Sequence, residues 1–206
     1  MNGHTIVQSL DTFFRWITRI AIVNLLWIGF SLLGFIVLGV FPATVATLAV
    51  TRKWLTGARD IHIGKLFTET FKTEFIVANI IGWLLAIIGF LLYLNYKIML
   101  TMADTLPVIT LFSFILVAFF YLLITLWVFP MIVNYKDTIM QYVKNAFIIG
   151  IGKLHVTLGI MIWLFVVLYI SLEFPTTIIF CSISLAAVGW NWLTLKTFNK
   201  FDQKEQ

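Results

Sequence analysis

The sequence predicts an all-α fold, a polytopic bundle of transmembrane helices. Of its 206 residues, 61% are hydrophobic and only 11% are charged, and the mean hydropathy is +1.02. Soluble domains are typically about half apolar and about a quarter charged. Charge-free runs recur along the chain, and a helix of about 20 apolar residues is long enough to cross the hydrocarbon of a bilayer. We therefore expect an integral membrane protein with five full spans and one short span, together with amphipathic cytoplasmic helices.

The boundaries of the predicted segments follow the charges. Arg15 and Arg19 precede an apolar run that is longer than the hydrophobic region of a signal peptide, so we interpret the N-terminus as uncleaved. The whole chain is one integral-membrane domain in this interpretation. Its expected parts are an interfacial segment 1–19, hairpin 1 at 20–57, a cytoplasmic amphipathic helix 58–74, hairpin 2 at 75–133, a cytoplasmic segment 134–153, hairpin 3 at 154–196 and a cytoplasmic tail 197–206.

The first apolar run, residues 20–51, has two possible topologies. Its 32 residues would form a straight helix of about 48 Å, which is too long for one span and too short for two. Proline is disfavoured inside a helix but favoured in its first turn. We expect one helix to end near Gly39 and a short helix, 42–57, to begin at Pro42 and return. The alternative is that residues 42–57 continue the first span.

The later apolar runs are assigned one span each. Runs 75–96, 154–172 and 174–195 each have about the length of one crossing. Run 105–135 is longer and suits one tilted helix whose ends lie in the interface.

Residues 60–75, DIHIGKLFTETFKTEF, form the clearest amphipathic stretch. Asp60 is a suitable N-cap. Apolar side chains recur after it at mostly three- and four-residue spacing, as on one face of a helix. Two interpretations are open: a helix that lies flat on the cytoplasmic leaflet, or a connector helix that packs on the bundle.

The distribution of basic residues favours the short returning helix. Cytoplasmic loops of membrane proteins carry an excess of Lys and Arg. With a return at Pro42, the basic residues divide 13 to 1 across the membrane, and only Lys97 lies outside. Without it, Arg15 and Arg19 move outside and the division becomes 11 to 3. We expect both termini to be cytoplasmic, with Arg52, Lys53 and Trp54 anchoring the short helix at that interface.

Two asparagines occupy similar positions in two apolar segments. Asn24 lies in IAIVNLLWIGFSLLGF and Asn79 in FIVANIIGWLLAIIGF, 55 residues later. The similarity predicts a weak internal repeat. Polar side chains at this depth either form hydrogen bonds between helices or line a small intramembrane polar pocket around Asn24 and Asn79.

The sequence contains few residues in patterns that indicate ion transport, metal binding or catalysis. No Asp, Glu, Lys or Arg lies within a predicted span, which argues against an ion-coupled transporter. Cys181 is the single cysteine, and none of the three histidines has a carboxylate or cysteine at ligand spacing. We expect no catalytic residue, no metal and no cofactor. The net charge is +5. The basic residues lie beside apolar runs, which indicates contact with the lipid bilayer and not with nucleic acid.

Several motifs in residues 15–82 resemble the YesL family, small polytopic bacterial membrane proteins with a domain of unknown function. The matching motifs are Asn24-Leu25-Leu26-Trp27, Phe41-Pro42-Ala43-Thr44, Arg52-Lys53-Trp54-Leu55, Asp60-Ile61, Phe71-Lys72-x-Glu74-Phe75 and Ala78-Asn79. The chain departs from the family pattern at His62-Ile63, where the family often has a proline after Asp-Ile. The resemblance implies a bacterial plasma-membrane protein, and association of such genes with those of carbohydrate-uptake ABC permeases and of sensor kinases.

These observations lead to three functional hypotheses. The first is a non-enzymatic membrane accessory protein that binds an ABC permease or a sensor kinase through a basic cytoplasmic face. The second is a small-solute transporter or facilitator with a pocket near Asn24 and Asn79. The third is a protein that binds lipid headgroups at Arg52, Lys53 and Trp54.

Overall fold

The structure, a computed structural model, describes residues 3–58, 61–102 and 107–202. Within these ranges the chain forms helices and no strand, which confirms the all-α prediction. The helices are α1 (Gly3–Leu33), α2 (Val40–Leu55), α3 (Ile63–Thr73), α4 (Phe75–Thr101), α5 (Val108–Asn134), α6 (Ile139–Gly152), α7 (Leu154–Glu173), α8 (Thr176–Phe180) and α9 (Ser182–Asp202).

Four segments of the described chain are long and apolar enough to cross a membrane: Phe13–Leu33, Phe75–Thr101, Val108–Asn134 and Leu154–Glu173. They indicate a multi-pass membrane protein. The predicted fifth full span, 174–195, is not one continuous helix, because the backbone breaks at Cys181 between α8 and α9. The count of five full spans and one short span therefore stays a prediction.

Helix α1 runs without interruption from Gly3 to Leu33. The expected interfacial segment 1–19 and the start of hairpin 1 are thus continuous along one helix axis, and no helix boundary lies at residue 20. The local sequence accounts for this, since neither Gly nor Pro occurs between Gly3 and Gly29 to favour a break.

Helix α2 is distinct from α1, as the position of Pro42 predicts. A tight turn at 34–39 separates the two helices, and it places Phe35 and Ile36 at φ of 53° and 64°. Non-glycine residues rarely adopt this left-handed conformation. Pro42 is the third residue of α2, where its missing N–H costs little because the first-turn donors have no partner within the helix.

The short helix α2 lies at the centre of the bundle. It packs against α1, α3, α4, α5 and α9. Several of its apolar side chains are fully buried: Ala43, Val45, Ala46, Leu48 and Val50. A helix of 16 residues measures about 24 Å, so α2 is shorter than α1, α4, α5 and α9, which enclose it together with α3.

Helix α3 packs its predicted apolar face against α1 and α2. Phe67 is fully buried, and the rings of Phe67 and Phe71 lie 5.1 and 4.9 Å from that of Phe30 on α1. The contacts with α1 and α2 agree with the connector interpretation of this segment. The predicted N-cap, Asp60, lies outside the described residues.

Candidate functional site

Asn24 connects α1 to the break between α8 and α9. Its amide nitrogen donates to the carbonyl oxygens of Ile178 (2.8 Å) and Ile179 (2.6 Å), at the end of α8. Its Oδ1 accepts from the backbone N–H groups of Ile183 (3.0 Å) and Ser184 (3.4 Å), at the start of α9. One side chain thus satisfies backbone groups that two interrupted helices would otherwise leave unpaired. Asn24 itself is fully buried.

Asn79 has a comparable role at the turn between α1 and α2. Its amide nitrogen donates to the carbonyl oxygen of Leu38 at 3.0 Å and to that of Phe75 at 2.8 Å. One helical turn further along α4, the indole of Trp83 donates to the carbonyl oxygen of Val37 at 3.1 Å. The irregular backbone of the turn is therefore bonded from α4, as membrane burial requires.

The intramembrane polar pocket around Asn24 and Asn79 stays a prediction. Each amide is bound to a different helix break, and these bonds match the hydrogen-bonding interpretation of polar residues inside a bundle. The two asparagines thus have similar structural roles, each on a long helix, and the internal repeat stays a prediction.

The Arg52-Lys53-Trp54 motif divides between three environments. The Nη1 of Arg52 donates to the carbonyl oxygen of Val133, near the end of α5, at 3.2 Å. The side chain of Lys53 is exposed. Trp54 is only 3% exposed and packs edge to face on Trp16, with ring centroids 5.7 Å apart. Trp54 is therefore buried in the bundle, where side chains of α3 pack in the same cluster, and the anchoring role of the motif stays a prediction.

A polar pocket lies between α2, α3 and the end of α5, and we call it the α2–α3–α5 pocket. Its volume is about 380 Å³. The wall combines three basic and two acidic side chains with the backbone that follows α5; the residues that define it here are Arg52, Lys53, Glu69, Glu74, Tyr135 and Lys136. It opens to the surface on which α3 lies.

Burial affects two titratable groups beside this pocket. Desolvation raises the pKa of Glu74 above its ordinary value of 4.5, and the nearby charge of Lys136 acts in the opposite direction. Desolvation also raises the pKa of Tyr142, whose hydroxyl donates to the carbonyl oxygen of Tyr135 at 2.9 Å and accepts from the N–H of Asp137. The charge of Glu74 contributes to the Tyr142 shift, so the two groups sense each other.

Sequence reasoning missed Glu74 and Lys136 as site residues. A signal was available, because Glu74 directly precedes the apolar run 75–96 and Lys136 directly follows the run 105–135. Charges that end neighbouring spans on one side of a membrane come close together when the spans pack. Among the described residues, no group of three or more His, Cys, Asp or Glu side chains is arranged to hold a metal.

A helical bundle with four apolar segments of membrane-spanning length and a polar pocket at the ends of its helices defines a multi-pass membrane protein. The chain belongs to the YesL family. The family model described as "Protein of unknown function, DUF624" matches residues 20–96. This confirms the resemblance that the motifs of residues 15–82 indicate.

Full-length relatives agree with this assignment. The chain is 30% identical to the uncharacterized protein YesL of Bacillus subtilis (strain 168) over 203 residues, which cover 98% of this chain and 96% of the relative. It is 32% identical to the uncharacterized protein YteU of the same organism over 173 residues, which cover 84% and 78% of the two chains. No solved structure matches the chain significantly.

Proposed function

We propose that this protein is a non-enzymatic accessory protein of the bacterial plasma membrane, which binds a membrane partner through the face that carries the α2–α3–α5 pocket. The proposed topology has five full spans, the short span α2 and both termini in the cytoplasm. The 13 to 1 division of basic residues supports this orientation. The resemblance to the YesL family suggests an ABC permease for carbohydrate uptake, or a sensor kinase, as the partner.

One observation carries the proposal. The end of α2 presents Arg52 and Lys53 in the wall of the α2–α3–α5 pocket, together with Lys136. Basic side chains at the rim of an interface steer an acidic partner and fix its orientation. Nothing in the described residues assembles a catalytic constellation, so the proposal assigns binding and no chemistry to this face.

The experiment is recovery of partners from native membranes in mild detergent. We expect Arg52→Glu combined with Lys53→Glu to lose a partner that the unmodified protein retains. Because Arg52 also binds the Val133 carbonyl, Lys53→Glu alone is the cleaner variant, since it leaves that bond in place. Lys144→Glu combined with Lys196→Glu is the matched control, because both side chains are exposed and lie on the same proposed side. Equal recovery from all these variants would contradict the proposal.

The alternative of a small-solute transporter or facilitator has less support. It required a polar pocket at Asn24 and Asn79, and both amides are bound to backbone groups of separate helix breaks. Lipid-headgroup binding, the other alternative, is favoured by the charges of the α2–α3–α5 pocket.

A further inference from the structure

The α2–α3–α5 pocket has walls of opposite charge. Arg52 and Lys53 lie on α2, whereas Glu69 belongs to α3 and Glu74 to its junction with α4. A third basic residue, Lys136, follows α5 and interacts with Glu74. The pocket volume of about 380 Å³ lies within the range of small-ligand sites, about 300–1,000 Å³. A molecule that carries a negative and a positive group could therefore span the pocket from α2 to α3.

The cations on α2 retain the capacity to bind an anion. The guanidinium of Arg52 makes one hydrogen bond, to the Val133 carbonyl, and the ammonium of Lys53 makes no hydrogen bond or ion pair within the described part of the chain. Arg supplies five N–H donors in a planar fork and Lys a compact charge, and both are common ligands of phosphate.

The opposite wall suits a primary amine. Glu69 is 4.0 Å from Lys65 in an exposed ion pair, so part of its charge is already balanced outside the pocket. Glu74 is half-buried, and desolvation destabilises its carboxylate more than the charge of Lys136, also in the pocket wall, stabilises it. A bound ammonium would offset that cost with a charge-assisted hydrogen bond. The acids also argue against a purely anionic ligand, which they would repel.

The position of the pocket indicates that such a molecule is a lipid headgroup of the membrane. The pocket lies at the ends of two apolar segments, which begin at Phe75 and end at Asn134. Side chains at the ends of membrane spans meet the headgroups of lipids.

We infer that the α2–α3–α5 pocket binds an aminoalkyl phosphate, the chemistry of a phosphatidylethanolamine headgroup, with the phosphate against Arg52 and Lys53 and the ammonium against Glu74. Recognition of this ligand goes beyond the proposed accessory function. It also needs no partner, so the two can fail separately.

The test compares lipids that differ only in the headgroup. The full-length protein is placed in nanodiscs that contain equal fractions of phosphatidylethanolamine, phosphatidylcholine and phosphatidylglycerol, and the lipids it retains are counted by native mass spectrometry. Phosphatidylcholine has the same charges but cannot donate a hydrogen bond to Glu74, and phosphatidylglycerol lacks the amine. We expect phosphatidylethanolamine to be retained about three- to five-fold more than either, the factor for one partly exposed charge pair.

Two variants separate the halves of the site. Glu74→Gln should abolish the preference for phosphatidylethanolamine over phosphatidylcholine; it is a mild change, because the Glu74 side chain does not cap α4. Lys53→Gln should weaken retention of both lipids about three-fold. Lys144→Gln is the matched control, since it removes an exposed charge outside the pocket.

A competition arm identifies the source of the ligand. Displacement of the lipid by soluble O-phosphoethanolamine would support the site with a free molecule as its ligand, and failure to displace it would support the site with a membrane lipid. Equal retention of the three lipids, stronger retention of phosphatidylglycerol, or an unchanged preference in Glu74→Gln would overturn the inference.

Discussion

At the scale of single residues, the buried side chain of Asn24 makes four hydrogen bonds that connect α1 to the α8–α9 break. It bonds to backbone groups at both ends of the α8–α9 break, more than 150 residues away in sequence. Buried backbone groups that lose a partner cost about 1–3 kcal/mol each, although hydrogen bonds inside membranes average nearer 0.6 kcal/mol. At the same break, the hydroxyl of Ser182 donates to that of Thr177 and accepts from that of Ser171.

We therefore expect Asn24→Ala to lower the free energy of unfolding by about 2–4 kcal/mol, because several of these groups become unsatisfied together. Unfolding in detergent, followed by circular dichroism, measures the change. Asn95→Ala is the matched control, since Asn95 is exposed. Equal stabilities of the two variants would mean that the break is held by other contacts.

Glu74 gives a prediction about pH. Its pKa in the folded state is raised above 4.5 by desolvation, so the folded state binds this proton more tightly than the unfolded state. Protonation of Glu74 therefore favours the folded state. The free energy of unfolding rises as the pH falls through the raised pKa, and it decreases as the pH rises. We expect Glu74→Gln to be more stable than the unmodified protein at neutral pH, with a gap that closes towards pH 4.5.

Thermal unfolding in detergent at a series of pH values tests this. The groups around Glu74 include Lys136 and Tyr142, and the pKa of Tyr142 is raised from 10.0, so its hydroxyl stays neutral over this range. A stability gap that does not change with pH would show that Glu74 is solvated in the folded state.

At the scale of elements, the turn between α1 and α2 depends on close backbone approach. A Cβ at Gly39 would lie 2.5 Å from the carbonyl oxygen of Ser31 and 2.7 Å from that of Phe30. A Cβ at Gly29, on the same helix α1 as these carbonyls, would meet no atom within 4 Å. The two glycines form a matched pair for mutation.

We expect Gly39→Ala to destabilise the protein by about 1–3 kcal/mol, because the turn has no space for a methyl group. Gly29→Ala should be neutral or stabilising by up to about 1 kcal/mol, since alanine favours the helix. Both are measured by unfolding in detergent. If Gly39→Ala proved as stable as Gly29→Ala, α1 and α2 could not approach each other as closely as described.

The two helix breaks differ in how far the sequence predicts them. The break before α2 could be predicted because residues 20–51 are too long for one span and Pro42 marks a helix start. The break at Cys181 could not, because the stretch TTIIFCSISL contains neither Gly nor Pro. The amide of Asn24, distant in sequence, bonds to both sides of this break, and a tertiary contact of this range leaves no local pattern.

At the scale of the whole molecule, composition predicts the class of protein, and packing determines the site. An apolar, charge-poor chain has to be a membrane bundle. The α2–α3–α5 pocket, in contrast, assembles residues from positions 49 to 136 of the chain. The basic residues of α2 were predicted as a site, but the acids that face them required knowledge of how α3 folds over α2. The burial of Trp54 required the same knowledge.

Topology gives a prediction for the complete bundle. With both termini in the cytoplasm, a reporter enzyme that is active only after export should be silent at Met1 and at Gln206. The same reporter inserted at residues 100–104 should be active, because that loop lies on the other side in the proposed topology. Fluorescent protein fusions, which are bright only in the cytoplasm, provide the reciprocal control. Export-dependent activity at the N-terminus would overturn the returning helix.

The long-range bond of Asn24 also has a consequence for biogenesis. During synthesis, α1 enters the membrane long before residues 178–184 leave the ribosome, so Asn24 spends that interval without its final partners. Helix α2 also lacks a final partner until α9 is synthesised, because the amide of Asn191 on α9 donates to the carbonyl oxygen of Leu48 and the hydroxyl of Thr51. The packing of the core can therefore be completed only after the last helix has been inserted. A nascent chain that stops before α8 would contain every membrane-spanning segment identified here, yet lack a finished centre.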